Sequence, residues 1–199
     1  MKNLFIALCL LLYTSVATAQ INITETFDGV GTLDWSEYAD KDVSALIEMG
    51  VLDLEVKKEG FIVLCHTDLP VIPEYDFKVT AKLLIPKIDE KEFGILFDMD
   101  EDYNRQGLVF MEDKFIACKY NGNTRIAGNS FELPIKLAKS RNRNMEVTIE
   151  RKGGRIIVYY DNIEIFKQKR PFYDAKLSFF TTTKLKVEEL IVEQPYTGD

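Results

Sequence analysis

A hydrophobic period of two, recurring from about residue 44 to residue 193, constrains this chain more than any other feature. "DFKVTAKLLI" sets Phe77, Val79, Ala81, Leu83 and Ile85 on one face and Lys78, Thr80 and Lys82 on the other. "NMEVTIER" does the same, with Met145, Val147 and Ile149 on one side and Glu146, Thr148 and Glu150 opposite. Successive side chains of an extended chain point to opposite sides, so each run predicts a strand with one buried face. Further runs fall near 44–48, 51–57, 61–66, 93–98, 106–111, 114–120, 155–160, 163–167, 175–181 and 185–193. Turn residues separate them. Gly153-Gly154, Asp161-Asn162 and Asn121-Gly122 tolerate the positive φ that tight hairpins require. Three consecutive hairpin-linked strands are therefore predicted over 144–167. Helical signal is weak: "EYADKDVSALIEMG" has room for a short turn, and "LPIKLAKSRNRN" reads as a loop. About a dozen short strands without a long helix predict an all-β fold, a two-sheet antiparallel β-sandwich or jelly roll.

The first twenty residues follow different rules. "MKNLFIALCLLLYTSVATAQ" has a basic start at Lys2, an apolar run from Leu4 to about Val16, and an Ala17-Thr18-Ala19 cleavage pattern. That is the layout of a secretory signal peptide. The run is shorter than the roughly 20 apolar residues a membrane helix needs. The expectation is a leader over 1–19 and one domain over 20–199, exported to the periplasm or the extracellular space. No later run is apolar and long enough to span a bilayer as a helix.

Charge narrows the partners. Among charged residues the leader carries only Lys2, so its loss leaves 24 basic against 32 acidic residues and moves the net charge from -7 to -8. Such a chain is unsuited to sequence-independent nucleic-acid binding, which displaces counterions with a basic surface. His66 is the only histidine, which excludes a multi-histidine zinc site. Beyond the leader only Cys65 and Cys118 remain, each inside an apolar run ("FIVLCH", "KFIACKY"). An export compartment would let them pair, while burial suits them equally as small hydrophobes.

The order of features resembles a known superfamily. "ETFDG" precedes Trp35, then come "EMGVLDLEV", the long strand "YDFKVTAKLLI", "FGILFDMDEDYNRQGLVF", "MEVTIERKGGRIIVYYDNIEIF" and a closing "KLSFFTTTKLKVEELIVE". Together these are similar to concanavalin A-like lectin/glucanase domains, in particular the laminin-G-like jelly rolls of secreted bacterial proteins. The resemblance implies two packed sheets, a buried Trp35, and a function in binding or cleaving glycans or in recognising a protein. Fold does not choose among these.

The acidic stretch "FDMDEDYNRQ" is the first candidate site. Glucanases of this superfamily carry their carboxylates in an E-x-D-x-x-E pattern on one strand. Asp98, Asp100 and Asp102 have alternate spacing, but no glutamate occupies either catalytic position, so catalysis through Asp98, Asp100 or Glu101 is the minority reading. Asp98, Asp100, Asp102 and Asn104 also offer hard oxygen ligands at alternate positions, which makes calcium the one cofactor the pattern suits. The plainest reading is a solvated hairpin tip, with Arg105 placed to pair with a neighbouring acid.

For a ligand face, aromatic rings beside polar groups are the expected sugar-binding chemistry. Tyr103, Arg105, Tyr120 and Arg125, on the hairpins around the acidic turn, are the candidates. The basic clusters Lys139, Arg141, Arg143 and Lys167, Lys169, Arg170 read as solvated loops, with a sulfated or uronic-acid glycan as the sharper alternative. The expected function is a non-catalytic exported domain binding a carbohydrate or cell-surface component. The alternatives are a divergent glycoside hydrolase and a protein-interaction domain of the cell envelope.

Overall fold

The structure is a computed structural model, which describes residues 20–29, 31–85, 92–98, 104–111, 114–121, 124–133, 143–169 and 172–195. Their strands in chain order begin with β1 (Ile21–Glu25), β2 (Tyr38–Ala39), β3 (Val43–Glu48), β4 (Val51–Val56) and β5 (Val63–Asp68). The middle of the chain supplies β6 (Phe77–Ile85), β7 (Phe93–Phe97), β8 (Asn104–Phe110), β9 (Lys114–Asn121) and β10 (Thr124–Glu132). It ends with β11 (Arg143–Lys152), β12 (Arg155–Tyr160), β13 (Ile163–Lys169), β14 (Lys176–Thr181) and β15 (Lys184–Gln194). No helix is found among the described residues.

Two antiparallel sheets form the sandwich. One has the order β13-β12-β11-β6-β15-β4-β3-β2, with β1 also paired to β15. The other has the order β10-β9-β8-β7-β14-β5. Strand β15 pairs with β6 along one side and, on the other, with β4 near its start and β1 near its end. The last strand thus fastens both the N-terminal strand and the centre of the large sheet.

The alternation read from the sequence has the predicted phase. Phe77, Val79, Ala81, Leu83 and Ile85 of β6 are all buried, as are Met145, Val147 and Ile149 of β11. They join one core with Phe93, Ile95 and Phe97 of β7 and with Leu177 and Phe179 of β14. Trp35 is buried as expected, its ring 5.7 Å from that of Phe27 and 5.8 Å from that of Phe179. On the outer side of the large sheet Lys78 pairs with Glu193 at 3.3 Å and Lys82 pairs with Glu189. Between these ion pairs the Thr80 and Thr148 hydroxyls meet at 3.0 Å. The predicted hairpins close through positive φ at Gly153, Gly154, Asp161 and Asn162.

Three strands lie outside the predicted runs. β10 pairs with β9 but is almost wholly exposed, so no apolar alternation marks it. β1 is half-polar, and β2 has only two residues. The segment with room for a turn, 37–50, is a hairpin of β2 and β3 instead. Asp40 Oδ1 accepts the Asp42 and Val43 N–H groups at 2.7 and 2.8 Å and shapes its bend.

The two cysteines do not pair; both are free and buried. Cys65 packs into the inter-sheet core, whereas Cys118 belongs to a cluster on the opposite face of its sheet.

Candidate functional site

The face of the six-stranded sheet that points away from the core is not simply polar. Leu96 of β7, Val109 of β8, Cys118 and Tyr120 of β9 and Phe180 of β14 form a second apolar cluster there. Leu64 and Ile116 pack against it. Two glycines make this layer possible. A Cβ at Gly94 would stand 2.5 Å from Phe180 Cε1, and one at Gly107 would stand 2.7 Å from Tyr120 Cε2. Without side chains at these positions, both rings lie down on the sheet, and they meet edge to face with centroids 6.0 Å apart.

Above this floor is a cleft of about 440 Å³. Leu64, Leu96 and Phe180 line its base, and Tyr38, His66, Glu92, Arg105 and Tyr120 supply polar atoms. That volume and mixture suit a small-molecule or oligosaccharide site.

One wall is built where the N-terminal segment runs beside the edge strand β5. The His66 N–H donates to Ser36 Oγ at 2.9 Å, and the Ser36 N–H donates to the His66 carbonyl at 2.9 Å. The Leu64 N–H donates to Tyr38 Oη at 3.2 Å. These contacts occupy an edge that would otherwise be open to pairing. They also fix the His66 ring, whose Nδ1 lies 2.9 Å from Ser36 Oγ. Burial lowers the pKa of His66, and the positive charges of Lys176 and Arg105 lower it further, against an opposing effect of Asp68. The ring is therefore held toward its neutral form.

The opposite wall is a cross-strand row. Arg105 of β8 is paired in register with Tyr120 of β9, which is paired with Arg125 of β10. Arg125 reaches Glu92, with Nη1 3.4 Å from Oε1. Burial raises the pKa of Tyr120 well above the usual phenol range. Arg105 makes no ion pair among the described residues, and the neighbouring acids Asp100, Glu101 and Asp102 lie outside them.

Of the ligand candidates named from sequence, Arg105 and Tyr120 line the cleft and Arg125 joins it through Glu92. Tyr103 lies outside the described residues. Ser36, Tyr38, His66 and Glu92 were not singled out. Leu64, His66 and Asp68 are the outward phase of β5, a signal that was legible. The approach of Ser36 and Tyr38 to that strand was not.

Of the metal candidates, Asp100 and Asp102 lie outside the described residues. Asp98 departs from the expected solvated tip. It is 0% exposed, has φ 56°, and its Oδ1 accepts the Tyr173 N–H at 2.6 Å. Its carboxylate thus ties the start of the β7–β8 connection to the segment before β14. Asn104 is partly exposed, with Oδ1 3.3 Å from Asn121 Nδ2. Among the described residues no cluster of three His, Cys, Asp or Glu side chains is placed to hold a metal ion. In the basic clusters, Lys167 pairs with Glu164 at 3.5 Å and Lys169 is exposed. Lys139, Arg141 and Arg170, and the side chain of Arg143, lie outside the described set.

No protein-family model matches the chain, and no curated protein matches it in sequence. Solved structures do resemble it. One belongs to work on endo-acting O-glycanases of the human gut microbiota that initiate mucin breakdown. It has TM-score 0.63 at 13% identity, over 86% of this chain and 98% of that one. The β-glucanase of Bacillus licheniformis has TM-score 0.61 at 10% identity, over 86% and 97%. The CBM2 module of the evolved Dit of Lactobacillus casei BL23 phage J-1 has TM-score 0.59 at 10% identity, over 92% and 100%. At such identities the likeness is one of fold: a two-sheet antiparallel sandwich of the jelly-roll kind, similar to the concanavalin A-like glucanase and lectin-like folds.

Proposed function

We propose that this chain is an exported, non-catalytic jelly-roll module that binds a carbohydrate in the cleft of its six-stranded sheet. One observation carries the reading. The cleft joins tyrosine rings and an apolar floor to hydrogen-bonding side chains, while the one carboxylate lining it among the described residues, Glu92, is engaged by Arg125. Rings and adjacent polar groups are the complement of a sugar, which has apolar C–H faces and a hydroxyl rim. Glycoside hydrolysis by the common mechanisms needs two carboxyl groups, about 5–9.5 Å apart, flanking one bond. The outward positions of β7 under the cleft are Gly94 and Leu96, which supply none.

The named neighbours support a carbohydrate ligand, since a β-glucanase and work on O-glycanases are among them. They also keep a second reading open, a divergent hydrolase using the acidic stretch. Two assays separate the readings. Calorimetry of the purified protein against a panel of oligosaccharides and polysaccharides should show binding, and a reducing-end assay on the same panel should show no release. Release of reducing ends, lost in Asp100→Asn, would favour the hydrolase. Export through the leader at 1–19 completes the proposal and is read by N-terminal sequencing of the protein recovered outside the cytoplasm.

A further inference from the structure

We propose that the cleft takes an acidic sugar, with the Arg105 guanidinium meeting its carboxylate or sulfate group; this rests on the carbohydrate-binding reading above. The cations around the cleft are not equivalent. Arg125 is engaged by Glu92 at 3.4 Å, and Lys176 by Asp68 at 3.5 Å. Arg105 is half-buried in the cleft wall and has no hydrogen bond or ion pair among the described residues. A partly desolvated cation without a counter-charge is costly, and an anion arriving from solvent relieves the cost. The chain has net charge -7, yet no acid among the described residues is placed on this guanidinium. Its fork of N–H donors matches a carboxylate or sulfate edge with two parallel hydrogen bonds.

The surroundings suit a sugar ring carrying that anion. Tyr120, the register partner of Arg105, places an aromatic ring directly beside it. Burial lowers the pKa of His66, and Lys176 and Arg105 lie close enough to lower it further against the opposing Asp68, so Arg105 and His66 share this end of the cleft. Ser178 lies buried beneath the same face. It is 1% exposed and its Oγ has no hydrogen-bond partner. Register pairs it with His66 on one side and Leu96 on the other, which puts it on the cleft face of the sheet. Buried hydroxyls are nearly always hydrogen-bonded, so one left open beneath this face suits a bridging water under the cleft floor.

The test compares acid and neutral members of matched pairs by calorimetry on the purified protein. Suitable pairs are sialyllactose with lactose, tetragalacturonate with its carboxyl-reduced form, and sulfated lactose with lactose. The first two pairs report on a carboxylate and the third on a sulfate. At least one acid member should bind about tenfold or more tightly than its neutral partner, the scale of one charge-assisted contact. Arg105→Ala should erase the difference and Arg105→Lys should retain part of it, each with the wild-type melting temperature. Equal affinity within every pair overturns the acidic-sugar proposal and leaves carbohydrate binding standing. A preference that survives Arg105→Ala overturns the assignment to Arg105. Absence of binding by every probe overturns the proposal together with the reading it rests on.

Discussion

The Tyr120 ring lies on the bare backbone of Gly107, close enough that a Cβ there would come within 2.7 Å of Cε2. The same hypothetical atom would stand 3.0 Å from Cys118 Sγ, so the ring cannot simply slide aside. Gly107→Ala should therefore lift Tyr120 out of the cleft wall. We expect a stability loss of about 1–3 kcal/mol, the usual scale of overpacking. Carbohydrate affinity should fall more than it does in an alanine substitution on the far sheet. Urea unfolding and calorimetry on one preparation check both effects. Unchanged affinity would mean that the Tyr120 ring is not part of the binding surface.

Asp98 tests the reading of the acidic stretch. Its buried carboxylate holds the Tyr173 N–H, and its backbone has a positive φ that asparagine tolerates better than alanine. Asp98→Ala should cost roughly 2–4 kcal/mol, from a lost charge-assisted hydrogen bond and a strained backbone. Asp98→Asn keeps both an acceptor and the backbone preference and should cost clearly less. Chemical unfolding of the two variants decides. An Asp98→Ala protein as stable as wild type would return this residue to the role of a solvated tip.

His66 gives the fold a pH dependence whose sign is fixed. Its folded pKa is lowered, first by burial and then by Lys176 and Arg105, while Asp68 opposes. Above the unfolded value near 6.5 both states are neutral and nothing is lost. As pH falls below about 6.5 the unfolded chain takes up the proton first, so stability declines until the folded ring also titrates. No other histidine contributes. Between pH 7.5 and 5.5, thermal melts should show a drop in wild type that is smaller in His66→Gln. Equal drops in the two proteins would remove His66 from the account. An anionic ligand in the cleft should oppose the drop, because it favours the protonated ring.

The cysteines should behave as buried, separate thiols. Burial raises each pKa to about 11, and the two lie on opposite faces of one sheet. A thiol reagent should be unreactive with Cys65 and Cys118 in the native protein and react with both in denaturant. The intact mass should show no loss of two hydrogens. A mass two units lower, restored by reductant, would contradict this arrangement.

Much of the fold was legible because burial on one side writes a period of two into β6, β11 and β15. β10 was silent for the converse reason: an exposed edge strand buries neither face, so its sequence carries no phase. The site was legible only in part. Arg105, Tyr120 and Arg125 could be grouped because hairpin neighbours in sequence become register partners in space. Ser36 and Tyr38 reach β5 from some 26 to 30 residues away in sequence, through hydroxyl contacts that no local pattern encodes. Asp98 misled because its residue type favours turns, while its burial is decided by the segment at Tyr173 packing over it.

The central claim is that the cleft over β5, β14, β7, β8 and β9 is the carbohydrate site. Methyl-resolved NMR of the purified protein, titrated with the oligosaccharide that binds most tightly in the panel, tests it most directly. The account predicts shifts concentrated at Ile62, Leu64 and Leu96, which line the cleft, with the methyls of Leu83, Val147 and Val192 in the core unmoved. Shifts confined to the far sheet or to the gap by Ile156, or no shift with any oligosaccharide, would contradict it.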